Sequence, residues 1–378
     1  MTTDLPASPA PSVQSVSLAD QPGLLLRSTE DVLGAVPYLL GFHPADSLVA
    51  IGLRGRPPRG RLHLTVRWDL PPVDPDAAQV AAVFRREGVT QVILAGYGTG
   101  PLVTPVMDET VALFRRGGLV VVDALRVEDG RYWSYLCSRS GCCPPDGTPY
   151  DPRAGEIAAQ ATVRGLVAFP DRESLARSLD PVGGAAREAM RRATARVTRE
   201  VGERLATCGD VEGFAAEFVA DGVTRVRAAI GAYAAGGRLD DEQAARLGLD
   251  LAVVRVRDEA WALVTDDSCD VHRRLWQDLT LRLEPRFVAP AASLLGVVAW
   301  REGDSALAGV ALTRAHEADP GYSMANLLMH ALRHLVPPQA LKDRMPSPEE
   351  LDEEMGSPRA AWLLPMISLL EEPAAQAG

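Results

Sequence analysis

Lysine is almost absent from this sequence. Lys342 is its sole representative, so arginine supplies 38 of the 39 positive charges (39 less 1). A phosphate-loop lysine, a Schiff-base lysine or a kinase strand lysine would have to be Lys342, and its setting "QALKDRMPSP" fits none of the three. Long apolar runs are missing too: the longest, "VAPAASLLGVVAW", falls short of the ~18 residues a membrane span needs. The opening "MTTDLPASPAPSVQSVSLADQPG" has neither a charged start nor an apolar core, so it reads as a disordered lead-in and not as a signal peptide. Cysteine is scarce and odd in number, five in all, which is not the framework of a secreted disulfide protein. Together these absences predict a cytoplasmic protein with no membrane association.

What is present bounds the rest. A chain of 378 residues exceeds the size at which one core stops growing, and a hydrophobic fraction of 47% is enough to pack two or three domains. The formal net charge of -11 repels nucleic acid and anionic lipid, so no nucleic-acid partner is expected.

After the lead-in (residues 1–26), Ser28 is placed to cap a helix with Asp31 in its first turn, and Gly41 to end it. "DSLVAIGL" and "RLHLTVRWDL" read as strands of a hairpin. A regular alternation follows: a helix over 75–87, strand "TQVILAGYG", a helix over 102–116, strand "LVVVDALRV", a turn at Asp129-Gly130 and strand "RYWSYLC". The spacing predicts an α/β domain over 27–152, a Rossmann-like sandwich whose mixed sheet is partly parallel with a hairpin on either side.

Beyond Arg153 strand signals nearly vanish, and an all-α region follows: a helical linker or bundle over 153–236, then helix pairs over 237–340. In "LLGVVAWREGDSALAGVALTRAHEADP" the residues Leu295, Gly296, Gly303, Ala308, Leu312, Ala315 and Pro320 stand at tetratricopeptide-repeat spacing. One such repeat cannot bury its own face, so either neighbouring pairs extend it or it is a corner of an ordinary bundle. The tail, 341–378, is acidic and then apolar at "AAWLLPMISLL", and is expected to dock on the body or to meet a partner.

Three stretches, "VPYLLGFHPADSLV", "YWSYLCSRSGCCPPDGTP" and "AWREGDSALAGVALTRAHEADP", resemble the uncharacterised actinobacterial family called domain of unknown function 4192. They span most of residues 27–335. The resemblance implies an origin but no reaction, so function has to be argued from residues.

The sharpest candidate is the loop "CSRSGCCPP". Cys137, at the end of its predicted strand, and Cys142 and Cys143, after a Ser-Gly turn, can converge as buried structural thiols, as a metal site or as a redox pair. Zinc would want a fourth ligand from elsewhere, such as Cys208, Cys269 or a histidine. The second candidate is "AGYGTGPLV", where Gly96, Gly98, Thr99 and Gly100 lead from a strand into a helix, as phosphate-binding loops do, with Asp123 available for a ribose hydroxyl. His43, Asp46 and Ser47 lie too close in sequence for a catalytic triad and read as a turn. His330 and His334, and the cluster Asp266, Asp267, Asp270 and His272, read as packed or solvated helix positions.

No acid/base pair, nucleophile or complete metal set emerges. The chain is therefore expected to be a non-enzymatic binding or regulatory protein that engages a protein partner through its helical domain. The alternative is an enzyme or sensor holding a small phosphate ligand at Gly96–Gly100.

Overall fold

The computed structural model describes residues 12–14 (backbone only), 26–57, 59–71, 77–139, 142–153, 155–163, 166–342 and 346–371. The chain divides into two units. The first comprises Met1–Ala176 with Glu302–Leu307 and Ala331–Pro337, and the second Arg177–Arg301 with Ala308–His330 and Pro338–Gly378.

In the first unit, Ser28 and Asp31 form a reciprocal capping box at the start of α1 (Thr29–Leu40), and Gly41 ends that helix in a left-handed conformation at φ 75°. Seven strands follow in the sheet order β1-β3-β2-β4-β5-β6-β7, where β1 is Ser12–Gln14, β2 Ser47–Arg54, β3 Arg61–Asp69, β4 Gln91–Tyr97, β5 Val120–Glu128, β6 Arg131–Ser134 and β7 Thr148–Pro149. Only β4 and β5 run parallel among these strands. The expected hairpins stand on either side, β2–β3 on one and β5–β6 on the other, the latter turning at Asp129 and Gly130, both at positive φ.

One expectation fails at the N-terminus. Ser12–Gln14, inside the expected lead-in, is a strand paired with β3 from Arg67 to Thr65. An edge strand offers a row of unpaired amides and carbonyls, and a neighbouring segment can take them without any apolar signal of its own.

The helices α2 (Ala77–Arg86) and α3 (Gly100–Arg116) cover one sheet face. Leu48, Ala50, Leu64, Val66, Val92 and Leu94 pack there with Phe84, Met107 and Phe114. Side chains alternate along a strand, so Val49, Arg67, Ala95 and Tyr97 point to the opposite face. That face carries α1, since the Tyr132 hydroxyl of β6 donates to Glu30 at 2.5 Å and Arg67 of β3 lies over the Phe42 ring. The short helices α4 (Glu156–Val163) and α5 (Arg172–Arg177) follow, with Ile157 of α4 against Gly34 of α1.

The second unit is helical: α6 (Gly184–Thr207), α7 (Val211–Ala234), α8 (Asp241–Asp250), α9 (Val254–Ala262), α10 (Cys269–Arg282), α11 (Pro285–Arg301), α12 (Ser305–Ala318) from Ala308 on, α13 (Ser323–Arg333) as far as His330, α14 (Pro338–Lys342), α15 (Pro348–Met355) and α16 (Leu364–Glu371). α11 is buried on all sides from Phe287 to Trp300, which makes it the central helix. The tail docks on its own unit: Arg255 pairs with Asp352, Arg286 donates to the Leu369 carbonyl at 2.8 Å, and Leu351, Leu363 and Met366 are buried. No helix among the described residues is long and apolar enough to cross a membrane.

Candidate functional site

Strand β6 ends at Ser134, three residues short of Cys137, and the Tyr135 amide still donates to the Ala124 carbonyl of β5 at 2.8 Å. The Ser134 hydroxyl donates to Asp123 at 2.7 Å and accepts from the Leu136 amide at 3.2 Å. The excursion closes at β7, where Tyr132 pairs with Thr148 and Arg131 with Pro149. Cys137, Cys142 and Cys143 therefore sit in the loop between the last two strands.

Several contacts hold that loop. The Trp133 indole N–H donates to the Pro145 carbonyl at 2.9 Å, and the Arg131 guanidinium donates to the carbonyls of Asp146 at 3.2 Å and Gly147 at 2.9 Å. Gly147 has φ 76°, and a Cβ there would stand 2.5 Å from the Trp133 ring, so no other residue fits. Arg126 of β5 stacks on that indole, its guanidinium carbon 3.8 Å from the Trp133 ring centroid. Within the loop, the amides of Cys142 and Cys143 both donate to the Arg139 carbonyl, at 3.1 and 2.8 Å.

The result is convergence of all three thiols. The Sγ atoms of Cys137, Cys142 and Cys143 lie within 4.8 Å of one another, and those of Cys137 and Cys142 are 3.2 Å apart. The group is accessible, with Cys142 exposed and the other two half-buried. The Cys143 thiol, then the Arg139 amide, then the Cys142 thiol donate to the Cys137 sulfur and hold its pKa below the ordinary thiol value. Cys143 keeps the proton it shares with Cys137 and is pushed up. Of these two, Cys137 is therefore the one that ionises first. Among the described residues no histidine or carboxylate joins the group, and Cys208 and Cys269 are not part of it. Three thiolates with an open fourth position suit a thiophilic ion such as zinc, completed by water.

The glycine loop is built for packing. A Cβ on Gly96 would stand 2.3 Å from Val103 Cγ1, so glycine there lets α3 lie directly on β4. The Gly98 amide donates to the Val127 carbonyl, those of Leu102 and Val103 to the Thr99 carbonyl, and Pro101 has none. That leaves only Thr99 and Gly100 to meet an anion. Asp123 does not reach the loop, because it pairs in register with Ile93 while Gly96 pairs with Arg126, three positions or ~10 Å along the strand. Its carboxylate is occupied by Ser134 and by the Ala124 amide.

The remaining candidates are also placed. Asp266 pairs with Arg301 and Lys342, and Asp270 with Arg274, while His272 is buried beside Trp276, so these groups do not meet around a cation. His334 lies just past the end of α13, off the helix that carries His330. Asp46, at φ 40°, makes the expected turn into β2.

An α/β unit with a thiol-bearing loop between its edge strands, joined to a helical unit, is the class these observations define. The chain belongs to the family described as Domain of unknown function (DUF4192), whose model matches residues 30–339 and so takes in all three stretches that carry the resemblance. No curated protein and no solved structure is significantly similar to it.

Proposed function

We propose that this is a binding or regulatory protein whose α/β unit holds a zinc ion on the thiolates of Cys137, Cys142 and Cys143. The observation that carries the reading is the mutual approach of three sulfur atoms to within 4.8 Å on one braced loop. Thiolate is the ligating form, so loading releases protons, Cys137 giving up its own more easily than Cys143. Affinity is therefore expected to rise with pH.

A second reading rests on the 3.2 Å separation of Cys137 and Cys142. The Cys137 thiolate would attack an external disulfide such as glutathione disulfide and expel one thiolate. The Cys142 sulfur would then displace the second, leaving a Cys137–Cys142 bond and two molecules of reduced thiol.

One experiment separates them. Protein purified without reductant or chelator is assayed for zinc by elemental analysis and for free thiols by a chromogenic reagent. One zinc per chain, lost in Cys137→Ser and Cys143→Ser alike, supports the metal centre. A zinc-free chain with the Cys137–Cys142 bond, insensitive to Cys143→Ser, supports the redox pair. A zinc-free, fully reduced chain that neither takes up zinc nor reacts with glutathione disulfide refutes both.

The helical unit is, on our reading, the part that engages a protein partner, with α11 and α12 as a tetratricopeptide-like pair. The absence of a side chain at Gly296, where a Cβ would stand 2.8 Å from Leu312 Cγ, supports that pairing. Leu327 of α13, 70% exposed, is the residue whose change to glutamate tests it, by loss of co-purification without loss of thermal stability.

A further inference from the structure

The sheet face opposite α2 and α3 carries an unusual debt. Buried polar atoms almost always find a hydrogen-bond partner. Yet five on this one face find none among the described residues: Ser47 Oγ, Thr65 Oγ1, Arg67 Nε, Asp69 Oδ2 and the Tyr97 hydroxyl. Ser47 and Thr65 are 0% exposed, Arg67 6% and Tyr97 8%. Ser47 pairs in register with Asp69 on one side and with Tyr97 on the other, so Asp69, Ser47 and Tyr97 form one row across β3, β2 and β4. Neighbours in such a row have Cβ atoms ~5 Å apart. Arg67 stands two residues back on β3 and therefore points the same way. The row crosses the antiparallel part of the sheet and ends on Tyr97, the last residue of β4.

Charge adds a direction. Arg67 pairs with Asp69 Oδ1, and Arg172 at the start of α5 feels both of them. Burial, then the like charge of Arg67, holds the Arg172 guanidinium below its usual pKa. Arg172 thus adds a second positive charge to the surroundings of the Arg67–Asp69 pair. Burial pushes the Tyr97 phenol well above its ordinary pKa, so at neutral pH it is a hydrogen-bond donor. Ser47, Tyr97 and Arg67 offer donors, whereas Asp69 Oδ2 needs one.

We infer that Ser47, Arg67, Asp69, Tyr97 and Arg172 form a binding site for a hydrogen phosphate group, free or as a phosphomonoester. The phosphate oxygens accept from the Ser47 and Tyr97 hydroxyls and from the two arginines. Hydrogen phosphate retains the proton that is donated to Asp69 Oδ2, whereas a monoester, with a second pKa of about 6, takes that proton up from solvent on binding; Asp69 would repel a fully deprotonated anion. The side chains of this face hold the anion; the amides of the Gly96–Gly100 loop do not. The site is independent of the thiol loop.

The test is titration calorimetry and thermal unfolding of the full chain with inorganic phosphate, glycerol 3-phosphate and sulfate at matched ionic strength. Phosphate or glycerol 3-phosphate is expected to bind saturably, the tighter of the two telling a free anion from a monoester. Sulfate, which has no proton to give Asp69 at neutral pH, should bind at least tenfold more weakly. Asp69→Asn should abolish that discrimination. Tyr97→Phe should weaken phosphate at least tenfold while leaving the phosphate-free protein as stable as before, since it removes only an unpaired hydroxyl. Absence of saturable binding by both phosphates, or sulfate binding equal to phosphate in the wild-type chain, overturns the inference.

Discussion

Acidification should destabilise the helical unit through one imidazole. His272 is 0% exposed on α10 and accepts a hydrogen bond at Nδ1 from the Trp276 indole at 3.2 Å. Burial, together with the positive charge of Arg301, lowers its pKa from 6.5 to about 4. In the unfolded chain the same imidazole titrates at its ordinary value, so between those two pH values the unfolded state binds more protons. Stability from His272 is thus complete above about pH 6.5 and is lost progressively as the pH falls to about 4. A depression of this size is worth about 3 kcal/mol at about 1.4 kcal/mol per pH unit. Urea titrations between pH 7 and pH 4, read by tryptophan fluorescence, report mainly on the second unit, which holds Trp261, Trp276, Trp300 and Trp362. His272→Gln removes the titrating group. The wild-type stability minus that of the variant should fall by about 3 kcal/mol across the window. A flat difference would refute the argument.

Two further expectations concern packing and charge. Gly96→Ala should destabilise the first unit by about 1–3 kcal/mol in thermal unfolding, because the new methyl meets Val103, and Val103→Ala in the same chain should recover part of the loss. Arg225→Met should cost about 3–5 kcal/mol at neutral pH, since it strips the bidentate partner from Asp250, whose side chain is fully buried. Burial raises the Asp250 pKa even with Arg225 in place, so the variant's deficit should shrink on mild acidification, and Asp250→Asn should restore most of it.

The parts of the fold written in local sequence were legible there. Ser28 with Asp31, Gly41 and the Asp129-Gly130 turn act within a few residues, and each does what its residue type predicts. The thiol convergence was half legible: spacing permits it, but Trp133, Arg126 and Arg131 hold it through the register of β5, β6 and β7, which no short stretch encodes. For the same reason Ser47 read as nothing more than a turn residue. Its neighbours Asp69 and Tyr97 come from other strands, and only the order β3-β2-β4 sets them beside it. Asp123 misled in the opposite direction, because a strand position was visible in the sequence but its distance from the glycine loop was not.

Leu335, 1% exposed within the core beneath α2 and α3, makes the first unit a matter of time as well as of space. Its carbonyl also accepts from Arg86 at 3.4 Å. A ribosome finishes β5 at Glu128 and reaches Leu335 only some 200 codons later, roughly 10–40 seconds at ordinary elongation rates. Until then its seat in that core is open to water or to a chaperone. The first unit is therefore among the last parts of the chain to be completed, and a fragment cut at the apparent boundary near Ala176 would carry that opening permanently.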